Sequence, residues 1–229
     1  MRVRDSEGSV AQVVQPKRLA LLAYLALAPR RRFRRREAIV PLFWPELDQE
    51  HARGALSQAL RYLRRALGEG AIITQGEDEV GLDRAVVGCD AVVFADWCEA
   101  DRLDEAMAVY QGPFLDALFV TDAAPEFELW VTDERARLSR LATAAAGALA
   151  ARAERVPDLQ SAIEWARRAV TIAPGDEVIA ARLIRLVHQS GDRAGALREY
   201  ERLRQRLKDE FQVAPSRETQ GLIGRILGP

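Results

Sequence analysis

His51 and His188, Cys89 and Cys98, and a large set of Asp and Glu side chains are what this chain could use for acid–base, nucleophilic or metal chemistry. Their spacing brings none of them a partner. The two histidines fall in separate parts of the chain, and no Ser or Cys sits in a nucleophile elbow or beside a base. No glycine-rich loop is present to cradle a phosphate. Cys89 and Cys98 are too far apart for a CxxC pair and have no nearby His to complete a zinc set, which reads as free thiols in a reducing cytoplasm. The carboxylates interleave with Arg at three and four spacing, the pattern of solvated helix faces. A non-enzymatic protein with no cofactor and no metal is expected. Trp130, Trp165, Tyr110 and Tyr200 stand next to apolar neighbours and read as packing rather than as a binding site.

What remains is the chemistry of cations. Residues 51–67 place Ala52, Leu56, Ala59, Leu60, Leu63 and Leu67 on one helical stripe, and Gly68 supplies the stop. The opposite face carries Gly54, Ser57, Gln58, Arg61 and Arg65, with Arg53 and Arg64 on its flanks. Such a helix can enter the major groove, where Arg reads guanine, Gln reads adenine and Gly permits close approach. The same pattern also describes an amphipathic surface helix with solvated arginines, and the helix alone leaves both readings open. Ahead of it, residues 30–36 are arginines interrupted only by Phe33, a short strand with its Phe inward and its guanidiniums wet. Arg34, Arg35 and Arg36 would then support binding through sequence-blind phosphate contacts. Charge is uneven in the same sense: the whole chain is at −1, yet residues 1–70 hold 14 Lys/Arg against 7 Asp/Glu, a net of +7, and the remainder is at −8. One part suits a polyanion and the other does not.

The elements that must hold these residues follow from periodicity. Residues 3–14 read as short strand material around a Glu7-Gly8 turn. Pro16 opens an amphipathic helix carrying Leu19, Leu22, Ala23, Ala26 and Leu27 that Pro29 closes. A short helix over residues 35–44 is interrupted by Pro41. Residues 71–75 and 79–82 flank Gly76-Glu77-Asp78 as a hairpin. Helix, strand, helix, loop, helix, hairpin is the order of a winged helix. From Asp90 onward only helices are expected, over residues 92–100, 103–111, 126–156, 159–173, 176–189 and 193–211. The segments starting at Asp158 and Asp192 lie 34 positions apart, the tetratricopeptide (TPR) period, with Ala162-Ile163 and Ala196-Leu197 as the small-then-apolar pairs of close helix contacts. The chain therefore reads as mainly α: a winged helix-turn-helix with a small β hairpin over residues 1–88, then an all-α TPR-like domain over 89–229. No apolar run is long enough to span a membrane and no export signal is present. Nothing in the sequence explains why it stops at Gly228-Pro229, as a fragment of a longer chain would.

Several of these stretches together resemble a known family. The head from Pro16-Lys17-Arg18 through Leu27, the run Leu42-Phe43-Trp44-Pro45, the helix from Ala52-Arg53-Gly54 to Leu67-Gly68, and the tail Gly191-Asp192-Arg193-Ala194-Gly195-Ala196-Leu197 through Pro215-Ser216-Arg217-Glu218-Thr219 resemble the SARP-type bacterial transcriptional activators. In that family a response-regulator-type winged helix is fused to a bacterial transcriptional activator domain (BTAD). The resemblance implies that the third head helix reads direct repeats in double-stranded DNA through Arg53, Ser57, Gln58, Arg61, Arg64 and Arg65, and that the hairpin touches the minor groove. It further implies that residues 45–50 face RNA polymerase and that protomers associate side by side on the DNA. Family members begin with a further strand ahead of the first one here, so an incomplete N-terminal platform is expected. The alternative is a TPR-like protein-interaction adaptor without sequence-specific DNA binding.

Overall fold

The computed structural model describes residues 3–4, 15–28, 33–116 and 118–228. Its elements are β1 (Val3–Arg4), α1 (Pro16–Ala26), β2 (Phe33–Arg35), α2 (Arg36–Phe43), α3 (Gln49–Leu67), β3 (Ile72–Gln75), β4 (Glu79–Leu82), β5 (Gly88–Cys89), then helices α4 (Asp90–Glu99), α5 (Leu103–Val109), α6 (Pro125–Arg155), α7 (Leu159–Ile172), α8 (Glu177–Gln189), α9 (Arg193–Arg206) and α10 (Arg217–Leu227). The expected fold, a winged helix-turn-helix followed by helices alone, is what forms. Residue contacts cluster the chain into two compact units, one of residues 1–100 and 108–138, the other of residues 101–107 and 139–229.

In the first unit, β4 is the centre of a three-stranded antiparallel sheet ordered β2-β4-β3. The hairpin register pairs Ile72 with Leu82 and Gln75 with Glu79, leaving Gly76-Glu77-Asp78 as the turn; Gly76 has φ +60, a conformation that favours glycine. Arg35 lies opposite Glu79 across β2 and β4. β1 pairs with β5, and the proposed Glu7-Gly8 turn lies outside the described residues. Helices α1 and α2 and strand β3 pack on α3. The α3 stripe is buried as its spacing dictates, Ala52, Leu56, Ala59, Leu60, Leu63 and Leu67 each being at most 5% exposed.

Helix α1 departs from its expected amphipathic form. Every residue from Ala20 to Ala26 is buried, so the helix is covered all round rather than along one stripe. The cover comes from far along the chain. Tyr24 makes edge contacts with Phe43 (ring centroids 5.9 Å) and with Trp130 (4.9 Å), Phe43 packs on Phe127 at 4.9 Å, and Trp130 meets Phe114 and Phe127. The start of α6 thus completes the hydrophobic core of the head. Polar ties run alongside: Ala124 N–H donates to Leu42 O (2.9 Å), Lys17 Nζ to Asp122 O (3.3 Å), and the Arg135 guanidinium to the carbonyls of Phe114 (2.7 Å) and Leu115 (2.6 Å).

In the second unit, helices joined by short turns pack in sequence, α7 on α8, α8 on α9, and α10 on both α8 and α9. The 34-residue spacing has a structural meaning: Asp158 and Asp192 are both N-caps, accepting from Ser161 N–H (3.1 Å) and Gly195 N–H (2.7 Å). Ala162 and Ala196 are fully buried in the shared core. The tail motif resolves the same way. Gly191 adopts φ +87 to end α8, Asp192 caps α9, and a Cβ on Gly195 would collide with the Asp192 carboxylate, so glycine leaves room for the cap. Ala106 and Met107 on α5 are likewise fully buried, and Arg152 pairs with Asp101 at 2.6 Å. Trp165 and Tyr200 pack against this core, as expected of them. The segment expected as one helix over 193–211 widens at its end: α9 runs to Arg206 and a π-helical turn over Leu207–Phe211 follows. Helix α10 was not expected, although Ser216 caps it and Leu222, Ile223, Ile226 and Leu227 carry a helical period stopped by Gly228.

Two outcomes follow. Phe127→Ala, although it lies in α6, should destabilise the first unit by about 3–5 kcal/mol in urea unfolding, because it removes a fully buried ring from the seam under α1 and α2. The second concerns pH. Asp48 caps α3 by accepting from Glu50 and His51 N–H (each 3.0 Å) and contacts the His51 ring at 2.6 Å. The hydrogen bonds from His51, first its backbone and then its side chain, hold the Asp48 carboxyl below the usual carboxylate range. A depressed folded value means the cap's contribution is present above the unfolded pKa of about 4 and is lost as pH falls through the lower folded value. Protection factors of the Glu50 and His51 amides, measured against the intrinsic exchange rate at each pH, should therefore hold near pH 6 and drop below pH ~4, with a smaller pH dependence in an Asp48→Asn variant.

Candidate nucleic-acid interface

The solvent face of α3 is built by subtraction. With the leucine and alanine stripe fixed inward, the intervening positions must point out, and Arg53, Gly54, Ser57, Gln58, Arg61 and Arg65 are all exposed while Arg64 is half-buried. The structure therefore brings the six α3 residues singled out from sequence onto one ridge. Asp48 begins the helix and Gly68, at φ +100, ends it, so the ridge runs on a capped helix of 19 residues. Gly54 has nothing within 4 Å of a Cβ position, so its lack of a side chain reflects openness on this face rather than internal packing. Ser57 Oγ donates to Arg53 O at 2.9 Å, which leaves its lone pairs as acceptors toward solvent.

Clustering without counter-ions distinguishes this ridge. In the second unit many guanidiniums are matched with carboxylates, among them Arg182 with Glu154 (2.6 Å), Arg204 with Glu201 (2.7 Å), Arg206 with Glu210 (2.8 Å) and Arg202 with Glu199 (3.0 Å). Among the described residues, Arg53, Arg61, Arg64 and Arg65 have no ion-pair partner. Four positive charges within four turns of helix, with no internal counter-ion, make a strip of positive potential. One cation there was not expected from sequence: Arg18 on α1 stacks over Tyr62 of α3, its guanidinium carbon 3.9 Å from the ring centroid, and adds charge beside the ridge. The only sequence signal for it was its place in Lys17-Arg18 at the start of a helix.

The β2 arginines divide. Arg30 to Arg32 lie outside the described residues. Arg34 turns inward, 4.0 Å over the Tyr24 ring, and donates to Leu27 O at 3.4 Å. Burial, only partly offset by Tyr24 and Glu134, pulls its pKa below the ordinary guanidinium value. Arg35 is exposed but holds Glu37 at 3.0 Å, and Arg36 is half-buried at the start of α2. The loop before α3 is exposed at Glu46, Leu47 and Asp48, with Trp44 beneath it against Lys17.

Other chemistry-bearing groups stand apart. Cys89 is buried and its thiol is pushed up to about 11 by desolvation; both cysteines are free. His51 occupies the first turn of α3, as expected, and His188 is exposed on the last turn of α8. Among the described residues no group of His, Cys, Asp and Glu could hold a metal ion, and no helix is long and apolar enough to cross a membrane.

Comparison with known proteins agrees with this architecture. The chain is similar over 96% of its length to Mycobacterium tuberculosis EmbR, a structure solved in complex with a low affinity phosphopeptide, at a TM-score of 0.63 and 21% identity. That likeness is one of fold, and the chain spans 61% of the EmbR chain's length. No curated protein matches the chain. The family model for the bacterial transcriptional activator domain matches residues 90–227, the stretch that holds the paired helices and both tail motifs. That family is one of transcriptional regulators rather than a class of enzymes. With this domain behind a winged helix, as the resemblance to SARP-type activators implied, the chain belongs to the bacterial transcriptional activator domain family.

Proposed function

We propose that the chain is a sequence-specific DNA-binding regulator of transcription, an activator, in which α3 enters the major groove of double-stranded DNA. The observation that carries this reading is the unneutralised ridge on α3, set on a helix whose other face is fully buried. An α-helix fits the major groove, and Arg and Gln are the side chains whose donors and acceptors match guanine and adenine edges there. Arg61 and Gln58, near the middle of the ridge, are assigned to bases. Arg53, Arg64 and Arg65 are assigned to nearby phosphates, and Ser57 to either. Arg35 and Arg36 support binding electrostatically, and Arg34, stacked on Tyr24, contributes only at longer range. Residues 1–88 are the DNA-binding head and residues 89–229 the domain through which the regulator works. The loop over residues 45–50, with Leu47 standing out among Glu46, Asp48 and Glu50, faces RNA polymerase: an apolar anchor within acidic neighbours suits a basic, apolar docking surface. Protomers associate side by side on direct repeats, and the protein acts in the cytoplasm.

Selection of bound fragments from a genomic pool tests the reading directly. A recurring sequence should emerge, and Arg61→Ala should lose ~1–3 kcal/mol on it while relaxing one base preference. Affinity should fall steeply with salt, with log K declining by about 0.9 per phosphate neutralised for each unit of log salt. Leu47→Ala should leave binding intact and lower activated transcription in a purified polymerase assay. Recovery of no selected fragment at moderate salt would hand the function to the adaptor reading instead.

A further inference from the structure

The hairpin that follows α3 has the wrong charge for a DNA-gripping wing. Residues 66–83 contain five carboxylates, Glu69, Glu77, Asp78, Glu79 and Asp83, and no Lys or Arg. Glu77 and Asp78 form the turn, both exposed, and Glu79 opens β4. Strand β3 begins at Ile72, close behind the end of α3 at Leu67, and each strand of the hairpin is four residues long. At about 3.4 Å per residue the tip reaches ~13 Å beyond the base of the hairpin, a span that allows it to approach the backbone of a duplex docked on α3. Exposed charges that come within a Debye length of each other, ~8–10 Å at physiological salt, interact, and the interaction grows as salt falls.

The tip also faces the arginine strand. Arg35 is the cross-strand partner of Glu79, and Arg36 N–H donates to Asp78 O at 2.8 Å, which locks the turn beside the start of α2. Directly opposed residues have Cβ atoms ~4.5–5.5 Å apart. Arg35 also pairs with Glu37 at 3.0 Å, so its charge is already engaged on the strand side. The hairpin therefore sets negative charge both at the tip that would approach phosphate and against the strand that would have attracted it.

We propose that the acidic hairpin turn of Glu77 and Asp78 is a charge brake on DNA binding: it repels the phosphates flanking the α3 site and lowers sequence-blind affinity, leaving recognition to base contacts from α3. This inference rests on the DNA-binding reading above and departs from a hairpin that grips the minor groove. Non-specific binding is almost wholly electrostatic, whereas specific binding also has base contacts, so a repulsive tip removes the protein from non-cognate duplex.

The test uses the whole chain, a fluorescent random-sequence duplex and the selected cognate duplex. Glu77→Gln/Asp78→Asn should bind the random duplex more tightly at low salt, by up to about fivefold per charge removed, and narrow the ratio between cognate and random affinity. Glu77→Lys/Asp78→Lys should go further and steepen the salt dependence by up to ~0.9 per new phosphate contact. Both changes lie on an exposed turn, and unchanged thermal melting confirms that the fold is intact. Unaltered random-duplex affinity in both double variants overturns the brake while leaving α3 recognition standing, as does weaker cognate binding by the neutral variant, which would make the carboxylates base contacts. If the parent and both variants retain no duplex at all, the brake and the DNA-binding reading fall together.

Discussion

The first unit depends on an aromatic seam that no local stretch of sequence provides. Tyr24 and Phe43 come from the first two helices of the head, whereas Phe127 and Trp130 come from the start of α6, about a hundred residues later. Without those later rings, α1 would have one face packed on the sheet and α3 and a second apolar face open to water, where burial of each ring is worth a few kcal/mol. The hydrogen bond from Ala124 to Leu42 and the Arg135 contacts with the carbonyls of Phe114 and Leu115 fix the return segment that carries these rings. The ridge on α3 is rigid because the elements beneath α3 are themselves held in this way. A helix that reads bases must keep its side chains in register to within a fraction of an ångström, and a core closed from both sides is what supplies that stiffness.

Charge is then distributed segment by segment rather than evenly. The total of −1 is an uninformative number because it sums two opposite designs. In the helical unit, many arginines sit three or four positions from carboxylates or across a helix pair from them, and such pairs contribute at most about 1 kcal/mol each while offsetting charge on the surface. On α3 the same residue type has no partner, which costs little in water and leaves the charge available to an external anion. The hairpin inverts the sign again within some ten residues. Three neighbouring segments of one polypeptide thus carry positive, negative and balanced surfaces, and only the first has the geometry to lie along a groove.

Legibility in the sequence followed the range of the interactions. The α3 stripe, its stop at Gly68 and the six residues on its outer face were readable because a helix of 19 residues states its own period several times over, whereas the cap at Asp48, which starts the helix two residues before the expected His51, looked like loop. The hairpin was readable within one residue, since the turn chemistry of Gly76-Glu77-Asp78 is local. The all-round burial of α1 was not readable, because it depends on Trp130 and Phe127, and a period of 3.6 says nothing about partners so distant. The inward turn of Arg34 onto Tyr24 was hidden for the same reason: an arginine among arginines looks wet until a ring is placed beneath it. Helix α10 was different in kind. Its cap at Ser216, its apolar spacing and its stop at Gly228 were all present, and the motif that drew attention to Pro215-Ser216 obscured the ordinary helix that starts there.

The tail motifs show why membership of a family and the work of a protein are written in different residues. Gly191 turns the chain, Asp192 caps a helix, Gly195 gives that cap room, Ala196 lets two helices touch, and Ser216 and Thr219 do the same service for α10 through a 3.3 Å hydrogen bond. Each is demanded by backbone geometry, and none reaches outward with a group that could choose a ligand. Any chain that folds this stack must solve these junctions, so the solution identifies the stack. The residues that would choose a DNA sequence, Gln58 and Arg61, touch nothing that the fold requires. Exposed positions of this kind can be exchanged at little cost to stability, so one scaffold can present many different outer faces while the junction residues of the helical stack stay as its geometry demands.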